Sequence, residues 1–184
     1  QAEIHYHNED YQLALTFIEK ALTINPEKPD YLLLKIQIET TQKHVQLNTE
    51  ELQKHEQTLS QLIDLQPKNI WKYYITRASI RSRFLKRHTA ALHDLEIAEP
   101  LIDQKDHDAY EQFLSTQAFV LFTLIKETLM QDKKPYTATI ERCITTYQKL
   151  IAINPYELRY RYNLIDIYLE SGDIYLALKQ YEDI

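Results

Sequence analysis

Seven histidines and one cysteine are the first residues to test for chemistry in this 184-residue chain. His5 and His7 stand two apart, so on a helix they point in different directions and chelate poorly. His44, His55, His88, His93 and His107 are scattered, and no H-E-x-x-H spacing occurs. His88 and His93 share one connection and helix start beside Asp94, but a pair lacks the third ligand of a metal site. Carboxylate pairs such as Glu50 and Glu51 lie in polar stretches with no apolar pocket around them. One glycine, Gly172, excludes a Walker loop, a dinucleotide fingerprint and a G-x-S-x-G elbow, each of which needs at least two. The residues therefore predict no catalytic group, no metal and no cofactor.

One charge pattern stands apart. From Lys68 to His88 the chain carries Lys68, Lys72, Arg77, Arg81, Arg83, Lys86 and Arg87 and no acid, against a net charge of −6 for the whole. Such asymmetry predicts an anion-binding stripe, because the planar fork of arginine matches carboxylate and phosphate. Lys72 and Arg83 are the pair expected to grip an acidic or C-terminal carboxylate group of a peptide. The competing reading is internal pairing with acids of neighbouring segments, such as Asp64, Asp94, Glu96 and Asp108. The acidic balance argues against general affinity for nucleic acid or anionic membrane. The longest apolar run, Ala118 to Ile125, falls far short of the ~20 residues that span a bilayer, so no membrane insertion is expected. The lone Cys143 forms no internal disulfide, which favours a reducing compartment such as the cytoplasm over the periplasm.

The elements that must position these residues are helices. Hydrophobic residues make up 44% and charged residues 26%, enough to build a core, while the scarcity of glycine disfavours hairpins. Three segments close alike: Ala21-Leu-Thr-Ile-Asn-Pro26, Leu62-Ile-Asp-Leu-Gln-Pro67 and Leu150-Ile-Ala-Ile-Asn-Pro155. Proline lacks an amide proton and disfavours helical geometry in the residue before it, so it stops one helix and sets up the next. Upstream, one helical face recurs at i, i+4, i+7: Ala14, Ile18, Ala21; His55, Leu59, Leu62; Ala91, Leu95, Ala98; Cys143, Tyr147, Leu150; Ala177, Tyr181, Ile184. The first position is small in four of the five, which lets two helix backbones approach closely. At Cys143 the same position predicts a buried, unreactive thiol.

This pattern resembles the tetratricopeptide repeat. Asp10-Tyr-Gln-Leu-Ala-Leu-Thr-Phe-Ile-Glu-Lys-Ala-Leu-Thr-Ile-Asn-Pro26 carries the family's second-helix signature almost whole. Ser171-Gly172-Asp173-Ile174 through Ala177 and Tyr181 carries the turn and second helix again, with Leu164, Ile165 and Tyr168 upstream at first-helix packing positions. Trp71, Tyr74, Ile75 and Ala78 take those positions in the middle. The resemblance implies an all-α, right-handed α-α superhelix: one solenoid over 1–184 of about five repeats (1–28, 29–68, 69–104, 105–155 and 156–184), the first and last incomplete. The triads end at 21, 62, 98, 150 and 184, so only the last spacing equals the family's 34 residues. Extra residues are expected at Gln42–Glu50 and Asp103–Pro135, with one long helix from Asp106 to Gln131. The ends read as truncated, because a solenoid needs polar caps.

The resemblance further implies a groove, lined by first helices, that holds an extended peptide or a helix of a partner protein. Offsetting the helical wheel from the packing positions gives Lys72, Thr76, Ser79 and Arg83 in the middle repeat, Leu32 and Ile36 in the second, and Arg159, Tyr162 and Asp166 in the last. The two-carboxylate clamp of some family members is not carried over, since Lys35 and Glu39 stand where that clamp needs amide and basic groups. Tyr73, Tyr74, Tyr156, Tyr160 and Tyr162 cluster near repeat junctions, where aromatic rings with a polar tip suit either an interface or, as the resemblance favours, packing. The expected function is a non-catalytic protein-interaction scaffold. Two alternatives stand beside it: the repeat region of a larger enzyme or of an envelope or secretion assembly factor, and an array that self-associates into a homodimer through its end helices.

Overall fold

The computed structural model describes residues 1–41, 47–131, 133 and 137–182. Among these residues there are ten α-helices, one 3-10 turn and no strand. In chain order the helices are α1 (Ala2–His7), α2 (Tyr11–Ile24), α3 (Pro29–Thr41), α4 (Thr49–Asp64) and α5 (Trp71–Arg83). Then follow α6 (His88–Ala98), α7 (His107–Met130), α8 (Thr137–Ile153), α9 (Leu158–Ser171) and α10 (Ile174–Glu182).

Local chemistry sets the boundaries. Asp10 and Asp106 cap α2 and α7 by accepting the amides of Leu13 and Ala109. At α4, Asn48 and Glu51 form a reciprocal capping box. Helices α2, α4 and α8 end two residues before Pro26, three before Pro67 and two before Pro155, as the proline argument requires. Gly172 closes α9 with φ +85°, a left-handed cap that favours glycine. With no other glycine in the chain, Glu9, Gln66, Asn69 and Lys86 take that region between helices without one.

The helices form consecutive antiparallel pairs in a right-handed superhelix, α1 with α2 through α9 with α10. First helices lie side by side on one face. Gln37 of α3 donates to Thr76 of α5, Arg83 of α5 covers Phe119 of α7, and Ser115 of α7 meets Tyr160 of α9. Second helices share the other face, where Arg142 of α8 pairs with Glu96 of α6.

The recurring triads form the seam inside the stack. Ala14, Ala91 and Cys143 are fully buried and Ala177 is 2% exposed, as expected of small residues where backbones meet. Leu59, Leu95 and Leu150 at the neighbouring positions are fully buried too. The one triad that opens with a large residue behaves differently. His55 is half-buried, and a depression of about 300 Å³ opens between α3 and α4, bordered by Leu32, Ile36, Glu39 and His55, although Leu33 and Ile36 still share a buried cluster with Leu52 and Leu59. On the last helix Tyr181 is exposed, and Ile184 lies outside the described residues. So do 42–46 and parts of the second expected insertion, at 132 and 134–136.

The long helix α7 is the hub of the stack. By length and composition it could span a membrane, unlike the shorter run read from the sequence. Its apolar residues are used on neighbours instead: Phe113, Leu114, Val120, Leu121 and Ile125 are buried in the cluster that joins α5 through α10.

Candidate functional site

The basic segment maps onto α5 and the turn into α6, and most of it is neutralised internally. Arg77 donates to Asp94 through Nε at 3.0 Å and Nη2 at 2.6 Å, and to Ser60 Oγ at 2.9 Å. Arg81 donates to Glu56 at 2.7 Å and to Asp94 at 2.8 Å, and Arg87 reaches Glu56 at 2.6 Å. Asp94 is fully buried and Glu56 nearly so. The result is a Glu56–Arg81–Asp94–Arg77 lattice that ties α4, α5 and α6 together. Internal pairing thus accounts for Arg77, Arg81 and Arg87. Of the four acids expected as partners, Asp94 alone serves, while Glu96 goes to Arg142. Lys86 pairs with Glu127 at 2.9 Å.

Among the described residues, no acid lies within 4 Å of Lys68, Lys72 or Arg83. The Lys72 ammonium sits 5.4 Å from the centre of the Trp71 ring, and the Arg83 guanidinium 5.0 Å from that of Phe119. The two are eleven residues apart on one unbroken helix, about 16 Å along its axis. They cannot close on a single carboxylate. The neighbour that α9 brings beside Arg83 is Arg159. Arg83, Ser115, Phe119, Arg159, Tyr160 and Asn163 border a depression of about 230 Å³ on the first-helix face.

The other expected groove residues fall into three groups. Ser79 is half-buried and Tyr162 and Asp166 are exposed. Thr76 is 7% exposed; its hydroxyl donates to the Lys72 carbonyl and accepts from Gln37, so it joins α3 to α5 and lines no open surface. The wheel misplaced it because α3 packs across that side of α5. Ile36 is buried and Leu32 half-buried; both border the α3–α4 depression, away from Arg83.

The electrostatics follow from these contacts. Hydrogen bonds from the exposed Arg159 pull the half-buried Glu157 carboxyl down to about 2. Burial pushes the Tyr160 hydroxyl up, with Ser115 opposing and Glu111 adding to it. Tyr160 donates to Glu111 Oε1 at 2.8 Å, and Asn154 donates to the same oxygen at 3.2 Å. Burial alone would raise Glu39, but His55 and Lys35 outweigh it and hold the carboxyl low. His55 Nε2 lies 3.1 Å from Glu39 Oε2, close enough for an ion pair yet off the line of a good hydrogen bond.

One arrangement has the look of a catalytic triad. Ser82 Oγ is 2.8 Å from His88 Nδ1, and His88 Nε2 is 2.8 Å from Glu127 Oε2. Ser82 is fully buried, so no substrate reaches its hydroxyl, and the relay works as a clasp between α5, α6 and α7. Cys143 is buried, and burial pushes its thiol up to about 12, which makes it a poor nucleophile. Among the described residues no three His, Cys, Asp or Glu side chains converge on a point.

Comparison with known proteins agrees with the helical architecture. The tetratricopeptide repeat profile matches residues 1–28. No curated protein matches the chain in sequence. Among solved structures, MamA is similar with a TM-score of 0.63 at 17% identity, over 99% of this chain and 91% of that one. YrrB, described as a TPR protein with an unusual peptide-binding site, has a TM-score of 0.58 at 15% identity, over 99% and 80%. The chain therefore carries a tetratricopeptide repeat at its start and has the fold of tetratricopeptide solenoids over almost its whole length.

Proposed function

We propose that this chain is a non-catalytic scaffold that holds a peptide or helix of a partner protein in the concave groove formed by its first helices. One observation carries the reading. Arg77 and Arg81 are neutralised inside the stack and Lys86 and Arg87 are paired with acids at its surface, while Lys72 and Arg83 are exposed with no acid within 4 Å among the described residues. Uncompensated cations on aromatic rings attract acidic groups and hold their own geometry while waiting. Their spacing of three helical turns suits two anionic groups along one extended segment. The similar fold of YrrB, a protein with a peptide-binding site, supports the same reading. The test is selection from a random peptide library on the immobilised chain. Acid-bearing or free-carboxylate peptides are expected to be enriched on the wild type and lost on the K72E/R83E double variant. Equal enrichment on both proteins would remove the proposal.

A second reading, self-association, is favoured by one surface. Helix α10 exposes Ile174, Tyr175, Leu178 and Tyr181, with Tyr175 at 77%. Apolar exposure of this kind marks contact surfaces. Sedimentation across a range of concentrations tests it, and a mass that stays at one protomer would exclude it.

A further inference from the structure

The depression beside Arg83 does not end at its basic rim. It shares Ser115 and Tyr160 with a second depression bordered by Asp108, Glu111, Gln112 and Thr116. The two form one trough between α7 and α9 with opposite charges at its ends. At the basic end, Arg159 is balanced by Glu157, so Arg83 carries the uncompensated charge, and Asn163 offers a neutral polar group beside it. At the acidic end, Glu111 is fixed through one oxygen by Tyr160 and Asn154. Its other oxygen, Oε2, has no partner among the described residues. Asp108 is exposed next to it. A purely acidic peptide would gain at Arg83 and be repelled at Glu111 and Asp108.

From this geometry we infer that the α7–α9 trough takes a dipolar ligand: a peptide whose free C-terminal carboxylate meets Arg83 and whose lysine or arginine side chain meets Glu111 and Asp108. The separation sets the spacing. Glu111 and Phe119, which carries Arg83, are eight residues apart on α7, about 12 Å. Extended peptide rises about 3.3 Å per residue, so the basic residue belongs three or four positions before the terminus. Ser115 and Tyr160 lie between the poles; Tyr160 donates to Glu111 and meets Ser115, which leaves hydroxyl oxygens to accept from backbone N–H groups of the intervening residues. The inference rests on the groove reading above and narrows it to one end of the groove and one ligand chemistry.

Fluorescence anisotropy with defined hexapeptide pools tests it. Each pool is random except for lysine, alanine or glutamate at the position three before the last residue, and is made with either a free or an amidated C-terminus. The lysine pool with a free carboxylate is expected to bind about tenfold more tightly than either the glutamate pool or the amidated lysine pool, as befits a charge-assisted hydrogen bond. Glu111→Gln with Asp108→Asn should erase the lysine preference and keep the carboxylate preference; Arg83→Ala should do the reverse. A carboxylate preference without a lysine preference overturns the dipolar trough and leaves the groove reading standing. Binding by no pool overturns both.

Discussion

Arg77 grips Asp94 with two nearly parallel hydrogen bonds, at 3.0 and 2.6 Å, across the interface of α5 and α6. Asp94 is fully buried, and Arg81 shares it. Removing the carboxylate leaves Arg77 without an acidic partner and Arg81 with Glu56 alone. Asp94→Ala should therefore cost about 3–5 kcal/mol, read as a lower urea midpoint. Exposed Glu96→Ala, which loses only the 3.2 Å pair with Arg142, should cost less than about 1 kcal/mol.

The small-residue seam makes a comparative prediction. Ala91 is fully buried between close helices, whereas His55 at the matching position borders an open depression. Ala91→Leu should destabilise by about 1–3 kcal/mol through overpacking. His55→Leu should stay within about 1 kcal/mol, since the depression leaves room for the new side chain and Lys35 still pairs with Glu39. Thermal denaturation of both variants checks the difference, and equal losses would refute the close-approach account.

Glu9 turns the chain from α1 into α2 with φ +61°. A side chain there costs roughly 1–2 kcal/mol that glycine avoids, less what glycine loses to greater freedom in the unfolded chain. Glu9→Gly should raise the melting temperature slightly. Gly172→Ala, at φ +85°, should lower it by a strain of similar size, although the added methyl group meets no atom within 4 Å.

Acid should weaken the fold through Glu39 and Glu127. Hydrogen bonding to Lys86 leads in holding Glu127 below 4.5, against burial, with His88 adding to it. For a carboxyl depressed on folding, the stabilisation is present above the unfolded value and lost as pH falls through the folded one. Stability should therefore hold down to about pH 4.5 and fall below it. Glu127→Gln should flatten that acid limb in a melting-temperature profile. Glu157 adds little, because its pair with Arg159 is exposed to solvent.

The helices and their seam were legible because apolar spacing, prolines and small residues are local signals. Of the partners of the basic run, Asp94 was among the acids named, whereas Glu56 and Glu127 were not. Glu56 and Asp94 sit in otherwise apolar stripes, Glu56 between Leu52 and Leu59, Asp94 between Ala91 and Leu95. An acid on a buried stripe beside an unbalanced basic helix is the signal that points to an internal pair. Thr76 was placed in the groove because a single helical wheel ignores the next helix along. Arg159 was identified from its own helix, yet its approach to Arg83 depends on how α7 and α9 stack, which no local pattern encodes.

Peptide binding through the uncompensated cations of the first-helix face is open to direct measurement. The affinity of a library-selected peptide for the wild type and for the K72E/R83E variant, at matched helicity by circular dichroism, tests it most directly. At least a tenfold loss is expected in the variant, as two charge-assisted contacts become repulsive. Unchanged affinity would contradict it.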